Sequence, residues 1–504
     1  MEPLLLATFI AYFVVVLGIG AYFYNRSAKM KEYFIADRQL NPYVVALSAQ
    51  ASDMSGWLLM GLPGSILVAG VGEIWVGIGL AIGTYLAWLI IAKRLRIYSE
   101  KANNSITISE YFSNRFGDEK GTIRVLCGIV LLIFFTFYVA SAFVSGGKIL
   151  QAIFPDSGYT AMMLACAAII IVYTFLGGFK AVCWTDFFQA MLMVIAVVVV
   201  PLAALGHLGG WENVSGALDN VFDGKFLDLM YDGGKQMSAL AIISLLAWGF
   251  GYFGMPHIVV RYMAISNPEE VKVARRVSLV WIVIALVAVC FVGIIGRAYL
   301  ISQGYVFDGG NITAPGGGAY DPEHIFITMT GDLFFPLIAG FLFAAVMAAI
   351  MSTADSQLLV AASSITNDLI GQRYNLDDNR LMWISRIVVI LVAIFALILA
   401  MFGGDNIMGL VSYAWAGFGA AFGPLMILAL YWKRMNKYGA IATMIVGFAT
   451  VVLWNTFLGD TGIYELLPGF VFALIAGVVV ALVTPAPSQD IVQEFDDAQV
   501  YTEE

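Results

Sequence analysis

Long apolar runs joined by short polar segments fill this chain almost from end to end. A helix needs about 20 mostly apolar residues to cross a bilayer, and scanning for such runs gives about thirteen. They fall at 4–24, 43–70, 73–97, 122–153, 159–178, 186–207, 237–262, 276–302, 333–365, 382–402, 406–432, 438–458 and 465–485. The pattern predicts an all-α polytopic membrane protein. The first run is expected to be kept as a span, since Met1 to Leu6 offer neither a basic stretch nor a small-residue cleavage site.

Two of the runs are interrupted. Within 43–70 stands Ser48-Ala-Gln-Ala-Ser-Asp53-Met-Ser55-Gly56-Trp57, and within 237–262 stands Trp248-Gly249-Phe-Gly251-Tyr252-Phe-Gly254-Met-Pro256. Hydrocarbon offers the main chain no hydrogen bonds, so unwound backbone survives only beside protein or a watery cavity. The second stretch also spells G-x-G-x-x-G, but dinucleotide binding needs a preceding strand and a βαβ unit, which an apolar helical run does not supply. The interruptions lie about five spans apart. Broken helices at matching places in two repeats point to a transporter binding site, and an odd spacing makes the repeats opposite in membrane direction. The expected core is therefore a 5+5 inverted repeat. Its parts are a first helix and inner loop (1–42), a five-helix repeat (43–207), an outer loop (208–236), an inverted five-helix repeat (237–433), two further helices (434–485) and an acidic tail (486–504). The tail, with no basic residue after Pro487, is expected to be disordered. Packing through small residues accounts for isolated glycines, but not for a carboxylate inside a span.

That carboxylate is Asp53. Placing it near mid-membrane costs about 2.5–3.5 kcal/mol, so it needs a cation, a partner or water. Capping the helix at the break and supporting a bound cation are both open readings. The run 333–365 contributes Ala349-Ile-Met-Ser352-Thr353, in which positions 349, 352 and 353 share one helix face. Two hydroxyls there could meet carbonyls freed near Ala51 to Met54. Back-bonding to the preceding turn explains the same hydroxyls; with Asp53 in the set, an ion site is favoured. Neutral oxygens suit a small monovalent ion better than Mg²⁺ or Ca²⁺, which usually gather more carboxylates. Trp248, Tyr252 and Pro256 recur every fourth residue and stack on one face. With Trp57 and Tyr138, also away from span ends, they suggest an aromatic pocket for a compact, partly apolar solute.

Composition sharpens the class. The 504 residues are 61% hydrophobic and 12% charged, with mean hydropathy +0.86, against about 45–50% and about 25% in soluble domains. A net charge of −9 without a long basic run excludes nucleic acid as a partner; the partner is the lipid bilayer. Cys127, Cys166, Cys183 and Cys290 lie in or beside apolar runs and read as small buried hydrophobes. Basic residues set the orientation. With the N-terminus outside, Arg26, Lys29, Lys31, Arg38, the cluster Lys93 to Arg124, Lys180, Arg261, Lys272, Arg275, Arg276, Arg373, Arg380, Arg386, Lys433, Arg434 and Lys437 fall in inner loops. Of 26 Lys and Arg residues, only Lys148, Lys225, Lys235 and Arg297 lie near the other face. The C-terminus is then cytoplasmic, in a bacterial inner (plasma) membrane.

Three segments carry a family resemblance. They are Ala-Ser-Asp53-Met-Ser55-Gly56-Trp57-Leu-Leu-Met-Gly-Leu-Pro63-Gly, Phe175-Leu-Gly177-Gly178-Phe-Lys-Ala-Val-Cys-Trp184-Thr185-Asp186-Phe-Phe-Gln189, and Met351-Ser352-Thr353-Ala-Asp355-Ser356-Gln357. The chain resembles the sodium/solute symporter family, in particular its sodium/proline branch, over essentially everything but the acidic tail. The resemblance implies thirteen spans, Na⁺ as coupling ion and L-proline as solute. It implies an ion site of carbonyls at Ala51, Met54 and Ala349 and hydroxyls at Ser352 and Thr353, with Asp53 in support. Ser55, Gly56, Trp57, Tyr138, Trp248, Tyr252 and Pro256 would line the substrate pocket. Asp186 matches a residue on the family's inner ion-release route; a helix cap at an inner loop explains it equally. Thr443 departs from the family, which prefers a smaller residue there, and the outer loop 303–332 carries an unusual Gly316-Gly317-Gly318 run.

Rival classes fare less well. An enzyme needs a nucleophile or acid–base cluster, and no His-Ser-Asp group converges in the sequence; His257 reads as a packing or capping residue. A channel would show a continuous polar-lined pore, and a sensor would append a soluble domain. Within transporters, another amino acid, a sugar or pantothenate is the alternative solute. No obligate protein partner is evident.

Overall fold

The computed structural model describes residues 3–24, 30–176, 178–371, 374, 376–404 and 406–503. Arg26, Lys29, Gly177 and Arg373, used above for orientation and motif, lie outside the described residues. Apart from two short helices, Trp211–Leu218 and Ile325–Leu333, the α-helices in chain order are α1 (Pro3–Tyr24), α2 (Met30–Ile35), α3 (Pro42–Asp53), α4 (Trp57–Ala69), α5 (Val71–Lys101), α6 (Ile108–Arg115), α7 (Thr122–Ile153), α8 (Tyr159–Leu176) and α9 (Phe179–His207). They continue with α10 (Ala239–Phe253), α11 (Pro256–Ala264), α12 (Val271–Ser302), α13 (Pro336–Asp368), α14 (Asp378–Phe402), α15 (Ile407–Tyr431), α16 (Lys437–Phe457), α17 (Leu466–Val483) and α18 (Gln489–Glu503).

Among the described residues, nine helices are long and apolar enough to cross a membrane, and α10 with α11, bent by 43°, makes a tenth. Shorter apolar helices begin at Pro3, Trp57 and Tyr159; a count of thirteen includes these three segments as well. Local sequence sets the ends. Asn41 caps α3 by accepting from Val44 N at 2.9 Å, with Pro42 following at the first helical position; its missing N–H costs nothing there. Ser238, Asn406 and Asn436 cap α10, α15 and α16 in the same way.

The packing repeats itself between two halves. Helix α3 lies on α12 as α10 lies on α5, and α3 meets α9 as α10 meets α15. Likewise α7 packs on α15 as α13 packs on α9, and α7 on α8 as α13 on α14. The spanning helices of 42–207 thus have counterparts in 239–431 with equivalent neighbours, an arrangement in which broken α3–α4 and broken α10–α11 are partners. Helix α1 sits outside on α13, and α16 and α17 cover α15.

The two ends of the bundle are finished differently. At one end, arginines cap carbonyls. Arg38 donates to Met263 O at 2.5 Å, Ser105 O at 2.6 Å and Ser99 Oγ at 3.0 Å. Arg96 reaches Ile265 O at 2.7 Å and Arg115 reaches Ala429 O at 3.0 Å. Leu40 N donates to Ala264 O at 3.3 Å and Leu40 O accepts from Ser266 N at 2.9 Å, which ties the start of α3 to the end of α11. At the opposite end, Lys148 holds Asp321 at 2.6 Å and Glu323 at 2.5 Å. Glu323 also accepts from Ile407 N at 3.0 Å and Met408 N at 3.2 Å, at the N-terminus of α15, where the helix dipole favours a carboxylate. Burial pushes the Glu323 carboxyl above its ordinary range, while Lys148 pulls the other way. The loops 208–236 and 303–332 each fold a small hairpin at this end.

Three expectations are corrected. Arg261, assigned to a loop from its charge, is fully buried inside α11, because Asp186 compensates it. The tail is not disordered. It forms α18, whose Ile491, Phe495 and Ala498 recur on one face, and Phe495 and Ala498 are buried; acidic composition hid an amphipathic stripe. Nor is Asp186 a helix cap, since α9 begins at Phe179 and Asp186 lies fully buried within it. The oversized Thr443 is accommodated by Gly477 of α17, where any Cβ would lie 2.2 Å from Thr443 Oγ1.

Candidate functional site

Helix α3 stops at Asp53 because Met54 turns to ψ 84°. Ser55 N then bonds Asp53 O at 3.1 Å, the carbonyl two residues back, and Ala51 O is released from the partner it would have in a continuous helix. Helix α13 fills the vacancy with side chains. Ser352 Oγ donates to Ala51 O at 2.8 Å, and Thr353 Oγ1 lies 3.4 Å from it. Both hydroxyls also stand 3.1 Å from Ala349 O on their own helix. Ala51 O, Ala349 O, Ser352 Oγ and Thr353 Oγ1 therefore converge on one spot, all on fully buried residues. Such a set of uncharged oxygens is chemistry suited to a small monovalent cation. Met54, also fully buried, makes the bend itself.

Asp53 faces the other way, toward the second break. Its Oδ2 accepts from Tyr252 OH, while Oδ1 is buried without a hydrogen-bond partner among the described residues. Its carbonyl accepts from Trp57 Nε1 at 2.9 Å and Tyr138 OH at 3.3 Å. One residue thus gathers side chains from α4, α7 and α10. The rings around it close up: Trp57 and Trp248 have centroids 6.4 Å apart. Trp57, Tyr138, Trp248 and Tyr252 are each 4% exposed or less. Ser55 Oγ accepts from Trp57 N at 3.4 Å. At Gly56 a Cβ would come within 2.1 Å of Ser145 Oγ, so the chain can pass α7 there only without a side chain. Pro256 starts α11, and the next residue, His257, puts its ring 5.9 Å from Tyr138.

The second break owes its shape to glycines. A Cβ on Gly249 would sit 2.3 Å from Gly79 O, one on Gly251 2.0 Å from Trp415 Nε1, and one on Gly254 2.4 Å from Gly423 N. The three glycines therefore let α10 pack hard against α5 and α15, which is what the G-x-G-x-x-G spacing serves here. Trp415 and Tyr464 are the site's unforeseen members. Trp415 donates to Trp248 O at 2.7 Å and meets Tyr252 edge-on at 5.1 Å, while Tyr464 stacks on Trp248 at 5.0 Å. Trp415 stands between alanines and a Gly inside a span, a bulky ring among small residues, and that contrast is the signal that could have found it.

Toward the arginine-capped end, Asp186 pairs with Arg261 at 2.9 Å, both fully buried. Ser48 Oγ donates to Asp186 at 2.7 Å and accepts from Arg261 Nε at 2.7 Å. Arg261 also donates to Ser356 Oγ at 2.6 Å, and Ser356 bonds Ser352 O at 2.7 Å. A continuous hydrogen-bonded path thus runs from the Asp186 carboxylate to the helix turn that carries Ser352.

Comparison with known proteins agrees with this architecture. The family model of the sodium:solute symporter family matches residues 33–447. The high-affinity proline transporter PutP of Bacillus subtilis is 45% identical over 96% of this chain and 99% of its own. The sodium/proline symporter of Escherichia coli K12 is 41% identical over 99% of this chain and 96% of its own. Among solved structures, a substrate-bound, outward-open Na⁺-coupled sialic acid symporter superposes with a TM-score of 0.79 at 18% identity, covering 96% of this chain and 99% of that one, a likeness of fold. With two broken helices crossing at its centre and a family match over most of its length, the chain belongs to the sodium:solute symporter family.

Proposed function

We propose that this protein is a secondary active transporter that couples L-proline uptake to Na⁺ by alternating access. The carrying observation is the meeting of Ser352 and Thr353 with Ala51 O, released where α3 breaks. In this reading Ala51, Met54, Ala349, Ser352 and Thr353 hold Na⁺, and Asp53 supports it electrostatically. Ser55, Gly56, Trp57, Tyr138, Trp248, Tyr252 and Pro256 hold proline, whose compact apolar ring suits an aromatic wall and whose ammonium and carboxylate suit the polar groups of a helix break. Relatives at 41–45% identity named for proline transport support the solute assignment. Another amino acid, a sugar or pantothenate is the alternative solute.

Na⁺ binds first and draws α3 against α13. Its arrival fixes Asp53, and through Tyr252 it sets the aromatic wall that receives proline. Coupling follows because Na⁺ favours one arrangement of the two breaks over the other. Each inward charge gains about 2.3 kcal/mol per 100 mV. The Asp186–Arg261–Ser356 path lies on the route by which the ion leaves. The arginine-rich end faces the cytoplasm and the Lys148 end faces outward, a reading that the distribution of basic residues supports. The protein then sits in the plasma membrane, its N-terminus outside.

The test is uptake of labelled proline into liposomes containing the purified protein. An inward Na⁺ gradient should drive accumulation, unlabelled proline should compete and other amino acids should not. Equal uptake without the gradient rejects the coupling; competition by a sugar or pantothenate reassigns the solute.

A further inference from the structure

Helix α18 takes no part in the cycle just described, yet it is built into the arginine-capped end. Phe495 is 5% exposed; its ring lies 6.0 Å from that of Tyr98 in α5 and 4.9 Å from the guanidinium of Arg115 in α6. Ile491 packs over Gly117, where a Cβ would come within 2.6 Å of its Cδ1. Polar contacts surround this apolar centre. Arg94 of α5 donates to Gln499 Oε1, Gln499 Nε2 donates to Leu430 O of α15 at 2.9 Å, and Lys433 in the α15–α16 link lies 3.4 Å from Asp496. One side chain, Gln499, therefore bridges α5 and α15.

Arg115 makes the bridge matter. Its guanidinium caps Ala429 O at 3.0 Å and Trp432 O at 3.5 Å at the C-terminal end of α15, where a cation is stabilised. Its walls are Tyr98, Phe116 and Phe495 at 5.4, 5.0 and 4.9 Å. Two walls belong to the body of the protein, and the third arrives with α18. Glu494 adds a carboxylate beside it; partial burial raises that carboxyl's pKa and Arg115 lowers it. The attachment is nevertheless slight. It rests on a short apolar stripe and on charges such as Lys433 and Asp496, 59% and 47% exposed, which contribute little and are screened by salt.

We propose that α18 is an intramolecular latch: docked across α5, α6 and the α15–α16 link, it holds the arginine-capped end shut, and it must release one side before that end opens. The acidic helix and its basic seat match in charge, so rising ionic strength loosens the latch. Opening of this end is thus set by conditions in the compartment it faces, independently of which solute is carried.

The test reads the end directly. Ala264, fully buried at the last turn of α11, is replaced by Cys, and its labelling by a charged maleimide is timed in detergent without Na⁺; the four native cysteines are buried. Adding Phe495→Asp should speed labelling about tenfold, the change that 1.4 kcal/mol makes between two states. Choline chloride at about 500 mM should speed labelling of the Phe495-containing protein and leave the Phe495→Asp protein unchanged. Equal labelling rates, or an equal salt response in both, overturn the latch. Should Phe495→Asp fail to fold, Asp496→Lys serves in its place, with an expected gain of about twofold that Lys433→Asp reverses. Absence of that reversal also overturns it.

Discussion

The two breaks face each other across the middle of the bundle but are made of different material. The first, from Ala51 to Trp57, is a turn of oxygens: a freed carbonyl, a carboxylate and two hydroxyls contributed by α13. The second, from Trp248 to Pro256, is a turn of glycines and rings, held by close approach to α5 and α15. Equivalent positions in two related halves thus differ in chemistry, one rich in oxygens and one in glycines and rings. The hydrogen bond from Tyr252 OH to Asp53 links them, beside the contact of the Trp57 and Trp248 rings. In the proposed cycle, coupling between ion and solute passes through residues that touch both breaks, and substitutions should sort by which break they enter.

The largest effect is expected from Asp53→Ala. It should raise the Na⁺ concentration for half-maximal uptake by about 5–150-fold, the range of typical coupling energies, while proline affinity at saturating Na⁺ falls only by the share that the Tyr252 bond carries. Proportional loss of both would show that the division of labour is wrong. Next comes Tyr252→Phe, which removes the bond between the breaks and leaves the ring in place. A hydrogen bond to a charged group contributes about 1.5–3 kcal/mol, so apparent affinities for both Na⁺ and proline should fall together by about tenfold or more, measured by equilibrium binding. Gly251→Ala probes shape alone. The methyl meets Trp415, and overpacking costs about 1–3 kcal/mol; thermal unfolding in detergent should drop, with recovery when Trp415→Phe relieves the clash. Smallest is Thr353→Ala, at about 0.5–1.5 kcal/mol for one neutral hydroxyl, seen as a several-fold rise in the Na⁺ requirement and no change in stability.

The sequence and the structure agree where a polar group has no business in an apolar run. Asp53, Ser352 and Thr353 stand out by that contrast, and so do Gly249 to Pro256 as helix breakers. Hidden were residues whose meaning depends on a partner far along the chain. Arg261 looks like a loop cation until Asp186, 75 positions away, is seen to pair with it. Trp415 is one aromatic among many until the missing Cβ of Gly251 shows where its ring goes. In α18 the acidic residues are interleaved with the apolar ones, and only the face opposite reveals a docking stripe. Periodicity is local information; charge compensation and close approach are not.

The knot of Lys148, Asp321 and Glu323 bears on how motion in this protein can be watched. A long segment between two membrane helices would ordinarily wander, and a spectroscopic tag on it would report its own wandering. Here residues 321–323 are fastened to the side of α7 and to the first amides of α15. A reporter group placed beside them, at Ala319 for instance, rides on those helices and converts their displacement into a clean distance change.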